Sequence, residues 1–195
     1  MKLLYIDCCI SVNKVSRTKL LADTFLSIWK ELHPNDEIEI VDVKNLELLP
    51  LNAQTVALRE QASNERREDD PMFALAHQFA QADRIVIAAP LWEMSFPSKL
   101  RVYIEHVSAA GITFSYTAQG SVGKCRADKL LYLTTAGGPL EGCNYGGDHL
   151  KALCGMFGIP EYLFLGAPMQ DVAEVDHKAI FIDVLKQAIE LAKTF

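Results

Sequence analysis

The sequence predicts an α/β fold, an open parallel sheet with helices on both faces. Three observations lead there. Short continuous apolar runs recur along the chain, segments with helical apolar stripes fall between them, and polar or glycine-rich loops separate the two. Parallel neighbours need crossover connections, and alternating helices supply them with right-handed sense. A length of 195 residues suits one domain, residues 1–195, and 50% hydrophobic against 23% charged residues is enough to build its core.

Leu3-Leu4-Tyr5-Ile6 is the first strand, apolar throughout and so buried on both faces. Leu21, Phe25, Ile28 and Leu32 form one helical stripe, which His33-Pro34-Asn35-Asp36 ends with turn chemistry. Glu37 to Val43 alternates charged with apolar positions, as a strand near a sheet edge does. From Lys44 to Pro71 the pattern weakens, and the charges between Arg59 and Asp70 suit a solvated helix or excursion. Phe73, Leu75, Ala76, Phe79 and Ala80 restart a helix, and Ile85-Val86-Ile87-Ala88-Ala89 is the third strand.

A loop opens at Pro90, and Leu100, Ile104 and Val107 mark a helix that Gly111 is expected to stop. Residues 112–127 are polar and aromatic by turns, with no regular period. Leu130 to Thr134 is the fourth strand, followed by a glycine-rich loop and a helix from near His149 to Phe157. Tyr162 to Leu165 is the fifth strand, and Ile182, Leu185, Ile189 and Ala192 form the closing helix.

Nineteen Lys and Arg against 25 Asp and Glu give a net charge of -6, so no basic field exists to hold a nucleic acid. No apolar run reaches the ~20 residues of a membrane span, and Met1 to Asp7 meets an acidic residue too early for a signal peptide. A cytoplasmic protein with no membrane partner is the expectation. The cysteines Cys8, Cys9, Cys125, Cys143 and Cys154 are odd in number and show no C-x-x-C spacing, which points to reduced thiols and no metal site.

In such a sheet, ligands sit outside the carboxyl ends of the strands. The loop after the first strand runs from Asp7 to Thr18 and contains neither G-x-G-x-x-G nor a P-loop. Ser16 and Thr18 offer hydroxyls beside the free N–H groups of a helix N-terminus, with Arg17 adding charge, so a phosphate fits there; Ser16 as a simple helix cap fits equally. After the third strand, Pro90 and Pro97 fix a loop carrying Trp92, Met94 and Phe96, either a platform for something flat and apolar or an aromatic plug. After the fourth, Thr134-Thr135-Ala136-Gly137-Gly138-Pro139 allows close backbone approach to a ligand, or makes a tight turn.

Ser16-Arg17-Thr18, the Pro90 to Pro97 loop with Leu100, the Gly111 to Thr117 segment running on to Gly120 and Gly123, and Thr135 to Gly138 together resemble one family. It is the flavodoxin-like NAD(P)H:quinone oxidoreductases, closest to the FMN-dependent NADH-azoreductases. The resemblance covers nearly the whole chain. It implies a flavodoxin-like three-layer sandwich with a five-stranded parallel sheet in the order 2-1-3-4-5, FMN as cofactor, and NADH or NADPH as donor. It further implies quinone or azo acceptors and a homodimer with the active site at the interface.

Carried over, the phosphate lies on Ser16, Arg17 and Thr18, with Cys9 where the family commonly has serine. Pro90, Leu91, Trp92, Glu93 and Met94 flank the flavin ring, and Thr135, Ala136, Gly137 and Gly138 close its other edge. Glu93 and Met94 replace the usual Asn and Phe, and Ala136 stands where Arg is frequent. A carboxylate at Glu93 close to the flavin would lower its reduction potential. Tyr116, in the lid-like segment, and Tyr145 and His149, after the glycine loop, are the candidate catalytic residues. Two other readings stand beside this one: a non-catalytic FMN carrier or redox sensor, and an enzyme using acidified thiols at Cys8 and Cys9.

Overall fold

The computed structural model describes residues 1–10 and 15–195. Residues 11–14, part of the phosphate loop read from the sequence, lie outside the described residues.

The three most apolar runs become β1 (Lys2–Asp7), β3 (Arg84–Ala88) and β6 (Lys129–Thr135), buried on both faces as a central parallel strand must be. The charged alternation of β2 (Glu37–Asp42) places it at one edge, and β7 (Glu161–Ala167) forms the other. Among the described residues the parallel sheet has five strands ordered β2-β1-β3-β6-β7, and β4 (Phe114–Thr117) pairs antiparallel with β5 (Gly120–Gly123) in a separate hairpin. With the hairpin set aside, this is the expected 2-1-3-4-5 order.

Period-two alternation sends successive side chains to opposite faces. Leu3, Tyr5, Val86, Leu131 and Leu133 meet Phe25 and Trp29 of α1 (Arg17–Leu32) and Ala188 of α6 (His177–Thr194). Leu4, Ile6, Ile87 and Tyr132 meet Phe79 of α3 (Ala74–Gln81), Leu100 and Ile104 of α4 (Ser98–Val107) and Phe157 of α5 (Tyr145–Phe157). Helix α5 therefore begins at Tyr145, a full turn before the expected start, because the Asn144 side chain accepts from the Gly147 N–H.

The charged stretch contains α2 (Ala53–Asn64), capped reciprocally by Asn52 and Thr55. Arg59 on this helix reaches the end of α4 and donates to the carbonyls of Glu105 and Ser108, each at 3.0 Å. Helix α4 ends at Val107 under this arginine, and Gly111, with φ 91°, turns the chain only afterwards. The expected glycine stop is thus a side-chain cap on orphan carbonyls. Arg59→Met is expected to cost about 2 kcal/mol, since partly buried carbonyls lose a charged donor; denaturant unfolding of the variant checks this.

Residues 112–127, without a readable period, hold the hairpin. Its edges dock through Lys124 N–H to Thr113 O at 2.9 Å and Cys125 N–H to Phe157 O at 3.1 Å. Gly123 lies against the backbone of Phe157 and Gly158, where a Cβ would overlap the Gly158 nitrogen.

Candidate active site

Parallel registry brings the strand ends into line. Asp7 pairs with Ala88, Ala88 with Leu133, and Thr135 with Ala167, so the loops after β1, β3, β6 and β7 leave one edge together. Leu91 N–H donates to Thr135 O at 3.0 Å and Ala136 N–H to Ala167 O at 2.9 Å, tying neighbouring loops. Between them and the start of α1 opens a cleft of about 410 Å³, within the usual size of small-molecule sites.

Ser16, Arg17, Thr18, Pro90, Leu91, Trp92, Thr135, Ala136 and Gly137 all line it, as the sequence suggested. Ser16 caps α1 and also lines the cleft. Its hydroxyl accepts from Lys19 N–H at 3.2 Å, which leaves its own proton to donate, and the Leu20 N–H bonds the Ser16 carbonyl. The Arg17 and Thr18 N–H groups remain open at the positive end of the helix among the described residues. Thr18, 1% exposed, shares a hydrogen bond of 2.7 Å with Thr135 across the cleft. One of those two hydroxyl protons is free for a ligand.

Four expected cofactor residues lie off this lining: Cys9, Glu93, Met94 and Gly138. Cys9 borders a neighbouring cavity of about 260 Å³ that also touches Ser16. Glu93 and Met94, both exposed, have φ 51° and 63° and form the two central residues of a turn closed by Ser95 N–H to Trp92 O at 2.8 Å. That is the type I′ signature, which favours Asn-Gly, so this turn stores strain at the rim of the cleft. Exposure of Glu93 lets solvent screen its charge, which weakens the expected effect on a flavin potential. Gly138 has no heavy atom within 4 Å of an added Cβ.

The candidate catalytic residues divide. Tyr145 N–H donates to Met94 O at 3.0 Å, which sets the 61% exposed Tyr145 against the turn that begins at Trp92. One turn along α5, His149 stacks on Phe96 at 5.7 Å, and the Arg101 guanidinium lies 3.0 Å from its Nε2. Partial burial, with the adjacent Arg101 cation, holds the His149 pKa below its usual 6.5. Tyr116 lies elsewhere, in a groove of about 620 Å³ shared with Arg59 and Phe73. Within one copy it does not meet the cleft.

The lowered His149 value has a consequence for stability. Between it and about 6.5 the unfolded chain binds more protons than the folded one, so stability falls as pH drops through that window. Arg101→Gln is expected to raise the His149 pKa, which proton NMR titration of the imidazole reads directly.

The thiol reading is contradicted. Burial pushes the Cys8 thiol up to about 12 and the Cys9 thiol higher still, opposite to activation. The two side chains also join different core clusters on opposite faces of the sheet. All five cysteines are free, and the described residues hold no cluster suited to a metal.

Among the described residues Ile10, Val15, Gln170 and Asp171 also line the cleft, and the sequence reading did not single them out. The signal for the last two was the strand-end rule itself, which applies to the loop after β7 as it does to the others.

The donors fit FMN. A helix N-terminus with two hydroxyls suits a phosphate, Leu91 and Trp92 offer a flat apolar wall, and Ala136 and Gly137 permit backbone approach.

Residues 1–181 match the flavodoxin-like fold family. FMN-dependent NADH:quinone oxidoreductases from Caldicellulosiruptor saccharolyticus and Clostridium acetobutylicum are 32% and 34% identical over 199 residues, which cover 100% of this chain and 99% of each relative. An FMN-dependent NADH-azoreductase from Bacillus anthracis, solved in complex with FMN, shares the fold with a TM-score of 0.84 at 24% identity, covering 100% of this chain and 99% of that one. With the strand order, the loops and full-length relatives in agreement, the chain belongs to the flavodoxin-like fold family, among the FMN-dependent NADH:quinone oxidoreductases.

Proposed function

We infer that the protein is an FMN-dependent oxidoreductase that takes electrons from NADH or NADPH and passes them to quinones, and to azo and nitro aromatic compounds. The carrying observation is the cleft, where the α1 N-terminus, an apolar wall and a small-residue loop meet at one sheet edge. FMN, when bound, supplies the two-electron hydride chemistry. The chain's own residues hold and shield.

Ser16 and Thr18, with the Arg17 and Thr18 N–H groups, bind the phosphate; Pro90, Leu91 and Trp92 face the ring; Thr135, Ala136 and Gly137 approach its polar edge. Tyr145 and His149 border the turn that carries Trp92. They are placed to donate a hydrogen bond to a reduced acceptor, His149 through the N–H of the neutral ring that its lowered pKa favours. Donor and acceptor sharing one stacking site on the flavin would bind in turn, which is ping-pong kinetics.

Residues 1–195 act as one FMN-binding domain in the cytoplasm. No helix among the described residues is long and apolar enough to cross a membrane. A homodimer is part of the reading: Tyr116, 77% exposed and outside the cleft, reaches an active site only where a second copy contributes it.

Steady-state oxidation of NADH and NADPH with a simple benzoquinone, at several fixed acceptor levels, tests the proposal. Parallel double-reciprocal lines are expected. A protein that binds FMN but oxidises neither nucleotide with any quinone is a carrier, and the enzyme reading falls. Tyr145→Phe and His149→Asn are expected to lower turnover with little change in FMN affinity.

A further inference from the structure

The charged residues that line the described part of the cleft are Arg17 and Asp171, and they are bound to each other. Arg17 Nη2 donates to Asp171 Oδ1, and its Nη1 donates to the Gln170 carbonyl. The loop holding Asp171 is fixed by its backbone. Met169 N–H donates to Gly138 O at 2.8 Å, Gln170 N–H to Ala136 O at 2.9 Å, and Asp171 N–H to Gly137 O at 3.1 Å. Gln170, 3% exposed, is held further by Nε2 donating to Pro168 O at 2.9 Å. Met169 has φ 60°, a left-handed conformation that persists where the surroundings over-determine a segment.

The carboxylate stays over the cleft floor, where a Cβ on Gly137 would stand 2.8 Å from Asp171 Oδ2. A carboxylate paired with Arg17 beside the α1 N-terminus opposes an anion by charge, an effect that solvent screens at its 70% side-chain exposure, and chiefly withholds the guanidinium by pairing.

Resting on the FMN reading of this cleft, we propose that Asp171 sets the cofactor's affinity by neutralising Arg17, leaving the phosphate to the neutral donors of the α1 N-terminus. Asp171 is thus a positioning residue acting through Arg17. The consequence is a grip on FMN that depends little on salt and permits exchange of the cofactor.

The test is a set of dissociation constants for FMN and for riboflavin, which lacks the phosphate, measured on the wild type, Asp171→Asn, Arg17→Gln and the double variant. Asp171→Asn is expected to bind FMN roughly tenfold more tightly, with affinity that weakens as salt rises, and to bind riboflavin unchanged. In the double variant the gain disappears. Weaker FMN binding in Asp171→Asn would show instead that the carboxylate accepts from the cofactor, and equal changes for FMN and riboflavin would show a general effect on the loop. A gain that persists without Arg17 also overturns the proposal. A wild type that binds neither flavin removes the FMN reading itself, an outcome distinct from the failures in the variants.

Discussion

Ser16→Asp is expected to raise the FMN dissociation constant about a hundredfold or more while the fold stays intact. Aspartate caps a helix as well as serine does, and a carboxylate there favours the positive end of α1, so the Lys19 N–H keeps its acceptor and stability holds. The same carboxylate stands where the proposed function puts the phosphate. Two like charges about 4 Å apart repel by ~4 kcal/mol at an effective dielectric of about 20, and partial exposure of Ser16 reduces this to the stated hundredfold. Fluorescence titration with FMN, beside thermal unfolding of the apoprotein, separates the two effects. Ser16→Ala is the converse case, losing the cap without adding repulsion.

Gly123→Ala carries the largest expected loss of stability. The added methyl would overlap the backbone of Phe157 and Gly158, and backbone cannot rotate aside as a side chain can. Gly158 ends α5 with φ 78°, so both partners of the contact are constrained. The hairpin must therefore withdraw from α5, at a cost of about 3 kcal/mol and roughly 10 °C in Tm. Gly155→Ala on the exposed side of α5, where nothing lies within 4 Å, is the control and is expected to stabilise by about 0.5–1 kcal/mol. Because α5 also carries Tyr145 and His149, Gly123→Ala should lower turnover as well as stability.

The contrast between β6 and the hairpin shows what is legible in such a chain. Leu130 to Leu133 is buried on both faces, and burial of that kind writes itself into composition. Strands β4 and β5 are four residues each and mostly exposed, and docking against α5 holds them, so no alternation marks them. The end of α4 was unreadable for a related reason, since its cap, Arg59, comes from a helix far back in sequence.

In the site, Ser16 to Thr18 and Thr135 to Gly137 were legible because helix starts and small-residue turns have local chemistry. The turn at Glu93 and Met94 was not, because neither residue is the Asn or Gly that its backbone favours. Asp171 carries no motif, and the role proposed for it depends on an arginine near the other end of the chain.

Anaerobic addition of NADH to the protein reconstituted with FMN tests the central claim most directly. The account requires that the wild type bind FMN and that the flavin's visible absorption band bleach on adding NADH and return on adding a quinone, with Ser16→Asp failing at the binding step. Bound FMN that NADH leaves unbleached, or equal binding by the wild type and Ser16→Asp, would contradict it.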